Sequence, residues 1–357
     1  MTEVKGKKWF LSTLAAILGV LFLILITMVI VDPYFHYHAP LKGMSYRLYS
    51  ERYINRGIAK NFEFDAVITG TSMNQNFKTS QMDELFGTNS VKLTFAGAGF
   101  QEIRQNLEVA LSNNEVKYVL WGIDYLGLYR EHYWKGYDSY PDYLYDNNIF
   151  NDVSYVFNKT ILFEGLVNTI LMNIQGEEST TFDEYSSWEG ETGWPAISRF
   201  YQRREEIMPM AEVDGAEDWV IRDNITKNIV KLVNSYPDTE FLLFYTPYSA
   251  LYWEDLYRSG LLEKQLSYEK MTSEMLLECE NVKLYSFVQE TELADDLTKF
   301  RDKEHYTADI NEDIMNWIHE DKGRITKDNY MDIIAWEREH YMNYDYDQLY
   351  VGYEEYK

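Results

Sequence analysis

Residues that could together perform acyl transfer occur near both ends of the sequence. Ser72 closes a G-T-S sequence after an apolar run, and Asp302 and His305 form a D-x-x-H sequence close to the other end. A serine hydroxyl becomes a nucleophile when a base of near-neutral pKa takes its proton, and an acidic residue must fix the tautomer of that base. We therefore expect Ser72, His305 and Asp302 to meet as nucleophile, base and orienting acid.

Each of the two motifs also has an ordinary structural explanation. A serine after a strand often only caps the following helix, and a D-x-x-H sequence on a surface loop needs no partner. Their positions favour chemistry, because Ser72 follows the first predicted strand and the D-x-x-H sequence follows the fifth. Both would lie at the carboxyl edge of a parallel sheet, where α/β proteins bind ligands. Free N–H groups at the helix start after Ser72 would suit a developing oxyanion.

Five short apolar runs predict the strands of this sheet. They are rich in Val, Ile, Leu, Phe and Tyr and end in turn or polar residues, which is typical of strands buried on both faces. The predicted strands are Asp65–Thr69, Val91–Phe95, Lys117–Gly122, Glu240–Thr246 and Val282–Phe287. The predicted helices between and after them are Phe100–Leu111, Trp219–Asn234, Leu262–Leu277 and about Asp309–His319. This alternation predicts a doubly wound, flavodoxin-like α/β fold with a parallel sheet of about five strands and flanking helices.

The N-terminal segment predicts a membrane anchor. Residues 9–31 carry no charge, and 23 residues at about 1.5 Å each reach about 35 Å, enough to cross a hydrocarbon core of about 30 Å. Three lysines precede the segment closely, which favours a cytoplasmic N-terminus at residues 1–8. The apolar run is longer than that of a cleaved signal peptide and lacks a small-x-small ending. We therefore expect an uncleaved, single-pass signal-anchor with the large domain outside the cell membrane.

The remaining sequence divides into a linker, a main domain and a tail. The linker covers residues 32–57 and the main domain covers 58–320, with an aromatic-rich insertion at about 129–214 between the third and fourth strands. A single crossover helix needs far fewer residues than this insertion has. Its Tyr and Trp side chains could stack on sugar rings or pack as a lid on themselves. The acidic, Tyr-rich tail, 321–357, is expected to be a solvated or docking segment.

Composition excludes several classes of function. The chain has 33 basic and 58 acidic residues, and a net charge of -25 disfavours a nucleic-acid partner. The single cysteine, Cys279, excludes an internal disulfide and a cysteine-based metal site. His36 and His38 have no accompanying carboxylate cluster, so aromatic packing beside the membrane is favoured over metal binding. We expect neither a metal nor a cofactor.

The order of the motifs resembles the SGNH, or GDSL-like, hydrolase superfamily across residues 65–319. That family has a nucleophile block, a glycine after the second strand, a G-x-N-D block after the third and a D-x-x-H sequence near the end. The matching sequences here are G-T-S at 70–72, G-A-G at 97–99, G-I-D at 122–124 and D-x-x-H at 302–305. The anchored members that acylate cell-envelope polymers, such as the D-alanyl-lipoteichoic acid and alginate O-acetylation proteins, look most similar.

The resemblance also implies an oxyanion hole and a substrate-lining set. The residues implied for the hole are Ser72, Gly97, Gly99 and Asn74, and those implied to line the substrate are Asp124, Tyr125 and Tyr306. The family's asparagine donor has no counterpart, because an ionised Asp124 stands near its place and cannot donate. Losing one such donor costs about 3–4 kcal/mol of transition-state stabilisation in other enzymes.

The resemblance implies a serine esterase or O-acyltransferase that acts outside the cytoplasm. Its substrates would be acyl esters of a cell-surface polysaccharide or teichoic-type polymer, and a membrane-bound O-acyltransferase would be a partner. The missing asparagine favours an alternative, a catalytically inactive SGNH-like scaffold that binds the polysaccharide or the membrane acyltransferase. A plain secreted lipase or carbohydrate esterase is a third reading that differs in the acceptor.

Overall fold

The computed structural model describes residues 2–137, 140–146, 148–351 and 353. The chain forms two compact units, which we call the anchor unit (Met1–Phe62 with Tyr140–Thr181) and the sheet unit (Glu63–Ser139 with Phe182–Lys357). The sequence predicted one main domain carrying a single insertion. In the structure the insertion is divided, since its residues up to 181 belong mostly to the anchor unit and the following ones to the sheet unit.

The described residues form the following regular elements. The strands are β1 (Ala66–Gly70), β2 (Ser90–Thr94), β3 (Tyr118–Ile123), β4 (Glu240–Tyr245), β5 (Val282–Tyr285) and β6 (Arg324–Ile325). The α-helices are α1 (Thr2–Val31), α2 (Glu51–Asn61), α3 (Thr79–Phe86), α4 (Phe100–Asn113), α5 (Tyr125–Leu128), α6 (Val153–Val156), α7 (Asn168–Gln175), α8 (Trp194–Ile197), α9 (Asp218–Ile225), α10 (Lys231–Ser235), α11 (Ala250–Arg258), α12 (Leu262–Leu276), α13 (Thr291–Asp295), α14 (Ala308–His319) and α15 (Tyr330–Asn343). Short 3₁₀ segments are Ser72–Asn74, Asp142–Leu144, Leu297–Lys299 and Tyr346–Tyr350, and π-helical segments are Ile161–Val167 and Thr226–Val230.

The sheet confirms the predicted mixed α/β, doubly wound class. Among the described residues it has six strands in the order β2-β1-β3-β4-β5-β6, and the first five run parallel. All five predicted strands occur, displaced by one or two residues at their ends. The sixth strand was missed because it has two residues, too few for an apolar pattern, and pairs antiparallel to β5 at the edge.

Strand register places the ends of neighbouring strands at one edge of the sheet. Gly70 at the end of β1 pairs with Thr94 at the end of β2, and Ile123 at the end of β3 pairs with Tyr245 at the end of β4. Every residue of β1 and β2 is buried, as expected for strands covered on both faces. The segments that leave these strands, beginning with the one that carries Ser72, therefore emerge together at the carboxyl edge.

The C-terminal segment, which the sequence predicted to be a solvated or docking segment, is packed in its described part. Tyr341, Tyr346 and Leu349 are buried, and the Tyr341 ring stacks on Trp253 of α11 at a centroid distance of 4.3 Å. Its aromatic side chains bury apolar surface against α11 and α12, which composition alone did not reveal. Acidic residues of the same segment, such as Asp345, remain on its exposed side.

The anchor unit begins with one apolar helix long enough to span a membrane, with 26 residues in Gly6–Val31. The next residue, Asp32, is fully buried and accepts hydrogen bonds from the backbone N–H groups of His36, Tyr37 and His38 and from the Tyr155 hydroxyl. These bonds fix the path of the chain where α1 ends. Within the described residues, no group of three or more His, Cys, Asp or Glu is arranged to hold a metal.

Candidate active site

The turn after β1 holds Ser72 at the carboxyl edge of the sheet. Gly70 has φ +136°, and a Cβ there would lie 2.3 Å from Asn74 Oδ1, so only glycine fits. Thr71 caps the short 3₁₀ turn that follows, since its Oγ1 accepts the Met73 N–H at 3.4 Å. The glycine and threonine that precede the serine thus determine where its hydroxyl emerges.

Three side chains form a continuous hydrogen-bonded chain at this edge. Ser72 Oγ lies 2.7 Å from His305 Nε2, and His305 Nδ1 lies 2.8 Å from Asp302 Oδ2. The other carboxylate oxygen of Asp302 accepts the backbone N–H groups of Glu304 and His305, each at 2.8 Å. The D-x-x-H loop is therefore closed by its own aspartate, which holds the imidazole with one nitrogen towards the serine. This is the geometry that a serine nucleophile, a general base and an orienting acid require.

The charges in this chain are arranged to support proton transfer. Burial tends to raise the pKa of Asp302, but hydrogen bonds and the charge of His305 outweigh it, so that pKa lies below its usual value. Burial tends to lower the pKa of His305, but Asp302, followed by Glu304 and Asp124, raises it above 6.5. An ionised acid thus stabilises the imidazolium that forms when the base takes a proton.

Two backbone N–H groups are free to stabilise an oxyanion. Within the described residues the N–H groups of Ser72 and Gly97 have no acceptor, and Gly97 is exposed with open space beside its Cα. Of the two alternatives Gly97 and Gly99, the second has its N–H engaged, because it donates to Glu102 Oε2 at 2.9 Å. The side chain of Asn74, the further donor that the resemblance implied, is fully buried. The N–H groups of Ser72 and Gly97 therefore remain as the candidate donors for an oxyanion.

Asp124, directly after β3, acts as a hydrogen-bond acceptor. Its carboxylate accepts the Thr71 hydroxyl at 2.9 Å, the Leu126 N–H at 3.0 Å and the Tyr248 hydroxyl. These donors come from the ends of three neighbouring strands. Asp124 is almost completely buried, with 9% of its surface exposed. Its contacts show that it ties the nucleophile turn, through Thr71, to the segments after β3 and β4.

The two tyrosines that the resemblance placed along the substrate are internal, and this expectation was wrong. Tyr125 is 2% exposed, and its ring stacks at 5.5 Å on Tyr245. Tyr306 is 1% exposed and forms a β-bridge with Phe300. Each follows a predicted site residue directly in sequence, but adjacent side chains point in different directions, so proximity in sequence did not give proximity to the site.

Two residues at the site were missed in the sequence. Glu304, inside the D-x-x-H loop, has its pKa raised to about 7 by burial and by the charge of Asp124. Trp188, from the insertion, donates its indole N–H to the backbone oxygen of Ser72 at 3.1 Å and lies edge-on to the His305 ring. Glu304 could have been predicted as a site residue from its position between Asp302 and His305. No local sequence pattern distinguished Trp188, as a site residue, from the other aromatic residues of the insertion.

No protein-family model and no curated protein matches this chain. Among solved structures, one match is a chain described as "a putative platelet activating factor from Streptococcus pneumonia". The identity is 13% and the TM-score is 0.36, over 75% of this chain and 91% of that chain. A likeness at this level assigns neither an activity nor a substrate.

Proposed function

We propose that this protein is a serine esterase or O-acyltransferase of the SGNH type, with Ser72 as nucleophile. The observation that carries the proposal is the hydrogen-bonded chain from Ser72 Oγ through His305 to Asp302. Its position at the carboxyl edge of a parallel sheet adds support, as do the N–H groups of Ser72 and Gly97, which have no acceptor among the described residues.

The proposed reaction passes through an acyl-enzyme. Ser72 Oγ forms a bond to the ester carbonyl carbon while His305 Nε2 takes the hydroxyl proton. The two backbone N–H groups stabilise the oxyanion, which collapses as the leaving alcohol takes the proton from His305. The oxygen of water or of an acceptor hydroxyl then bonds to the acyl carbon while His305 takes its proton. The bond from that carbon to Ser72 Oγ breaks and Ser72 Oγ takes the proton back from His305, which gives hydrolysis with water or acyl transfer with the hydroxyl. With two backbone donors and no asparagine, we expect slower turnover than a three-donor hole would give.

The apolar helix α1 supports a location at the membrane. It is long enough to cross a bilayer, and lysines lie on its N-terminal side. We propose a single-pass protein whose sheet unit lies outside the cytoplasm, where it meets a cell-surface polysaccharide or teichoic-type polymer and a membrane-bound O-acyltransferase.

Covalent labelling tests the nucleophile. The full-length protein in detergent is treated with a fluorophosphonate probe, and wild type is compared with Ser72→Ala and with Ser112→Ala, an exposed serine on α4. We expect labelling of wild type and Ser112→Ala and none of Ser72→Ala. Equal labelling of Ser72→Ala, or no labelling of wild type, would contradict the proposal.

The acceptor character of Asp124 favours a second candidate, a catalytically inactive scaffold that binds envelope polysaccharide or a membrane acyltransferase. Turnover of p-nitrophenyl acetate between about pH 5 and 9 separates the two. An enzyme gives a rate that rises with pH as His305 loses its proton, and this rate is absent in Ser72→Ala. A scaffold gives the same background rate with both proteins at every pH.

A further inference from the structure

Trp188 contacts both partners of the proposed proton transfer. Its indole Nε1–H donates to the backbone oxygen of Ser72 at 3.1 Å. Its ring lies edge-on to the His305 imidazole, with centroids 5.6 Å apart and an interplanar angle of 81°. Its own backbone N–H donates to Asn76 Oδ1 at 2.8 Å, just beyond the nucleophile turn. One residue thus bridges two segments that are 233 positions apart in the chain.

The segment that carries Trp188 is itself firmly held within the sheet unit. The carboxylate of Asp183 accepts the Thr79 hydroxyl at 3.0 Å and the N–H and hydroxyl of Ser80 at 3.1 and 2.5 Å. The guanidinium of Arg301 lies 5.9 Å from the Trp188 ring centroid. The Asp183 contacts therefore hold the segment against α3, and the indole lies beside the nucleophile turn and the His305 ring.

We propose that Trp188 is a positioning residue for the reaction, an inference that rests on the proposed function. The indole N–H fixes the backbone of the nucleophile turn and so the direction of Ser72 Oγ. The ring limits rotation of the His305 imidazole away from the serine and shields part of it from water. Holding reacting groups in one arrangement lowers the barrier because less freedom is lost in the transition state.

Two substitutions separate the roles of the indole N–H and the ring. Trp188→Phe keeps an aromatic ring and removes the donor, whereas Trp188→Ala removes both. Trp194→Phe is the matched control, because the Trp194 indole also donates to a backbone oxygen at 3.1 Å, that of Leu349. All proteins are full length, in detergent, and their Tm is measured first.

The expected results follow from what each change removes. A lost hydrogen bond of ordinary strength predicts that Trp188→Phe lowers kcat for p-nitrophenyl acetate and the rate of fluorophosphonate labelling about two- to tenfold, with KM nearly unchanged. Trp188→Ala lowers both rates further. Trp194→Phe leaves both at the wild-type value, even where its Tm falls.

The pH profile gives a signature that a purely structural role would not produce. Burial lowers the pKa of His305 against the raising effect of Asp302, and removing the ring admits water. The pKa of His305 therefore rises in Trp188→Ala, and the acid limb of kcat/KM moves to higher pH. Trp188→Phe restores the ring and most of the wild-type limb. The facing charged groups, Asp302, Glu304 and Asp124, are unchanged in all variants.

The outcomes distinguish this inference from the proposed function. If wild type and Ser72→Ala behave alike, the proposed function fails. If Ser72→Ala is inactive but both Trp188 variants match Trp194→Phe in kcat, labelling rate and pH profile, the function stands and the positioning role is overturned. A kcat loss with an unmoved acid limb in Trp188→Ala would overturn the role of the ring.

Discussion

In the sheet unit, the pKa of the partly buried Asp302 shifts in the opposite direction to the pKa values of a buried glutamate pair, Glu269 and Glu337. Asp302 accepts hydrogen bonds from the His305 ring and from two backbone N–H groups, and its pKa lies below the usual value although burial opposes this. Glu269 on α12 and Glu337 on α15 are fully buried and have no ion pair among the described residues. Burial raises the pKa of both, and the charge of Glu269 raises that of Glu337 further.

The difference comes from the donors that surround each carboxylate. Backbone donors and a basic partner lower the pKa of Asp302, whereas burial without a basic partner raises the pKa of both glutamates. The two groups therefore have opposite pH dependences. Asp302 contributes stability above its unfolded-state pKa, and this is lost as the pH falls through its folded-state value. The glutamates are stable as neutral acids, and stability is lost as the pH rises above their ordinary pKa of 4.5.

The largest expected effect comes from removing the charge of Asp302. Asp302→Asn keeps the shape but cannot stabilise the imidazolium or fix the correct tautomer, so kcat should fall about 10³- to 10⁴-fold. Initial rates with p-nitrophenyl acetate measure this. Asp65→Asn is the control, because Asp65 also has a lowered pKa but pairs with Lys117 at the opposite edge of the sheet. Equal losses of kcat in Asp302→Asn and Asp65→Asn would show that Asp302 does not orient and stabilise the His305 imidazole.

The next effect concerns stability. Glu337→Gln removes one acid of the buried pair, so at about pH 8.5 we expect Tm to rise by a few degrees, and at about pH 5 the gain should be smaller. Thermal unfolding at both pH values measures it. Glu254→Gln is the matched control, since Glu254 is equally buried but paired with Arg203 and Arg258 at 2.7 Å. That substitution should lower Tm, because it removes the buried carboxylate that pairs with two partly buried guanidinium groups. A falling Tm in Glu337→Gln at pH 8.5 would contradict the comparison.

The smallest expected effect concerns Glu304, whose pKa is raised by burial like those of the glutamate pair although it faces the basic His305. It is half-buried, its pKa is raised to about 7, and its negative charge helps to raise the pKa of His305. Glu304→Gln removes that charge, so the pKa of His305 should fall and the acid limb of kcat/KM should move down by roughly half a pH unit. Glu278→Gln, an exposed pair with Lys327, should leave the limb in place. A shift to higher pH in Glu304→Gln would refute this assignment.

Much of the architecture could be predicted because its signals are local. Strands such as Val282–Tyr285 are short apolar runs, and helices such as Leu262–Leu276 have a helical period, so both were found within two residues. The packing of α15 could not be predicted, because its buried faces depend on partners distant in sequence. The same reason hid the burial of Tyr125. The Gly99 N–H, in contrast, is engaged by a local partner, since Glu102 accepts it at the start of α4.

The sequence by itself determined which residues could carry chemistry and in what order the strands would present them. G-T-S after the first strand and D-x-x-H after the fifth follow from local patterns, and a parallel sheet brings such ends to one edge. Only the tertiary structure decided three features of the site. They are the 2.7 Å distance between Ser72 Oγ and His305 Nε2, the hydrogen bond that Asp124 accepts from Thr71, and the contact of Trp188 with the Ser72 backbone. Those features depend on contacts between segments that are far apart in the chain, and no local pattern encodes their distances.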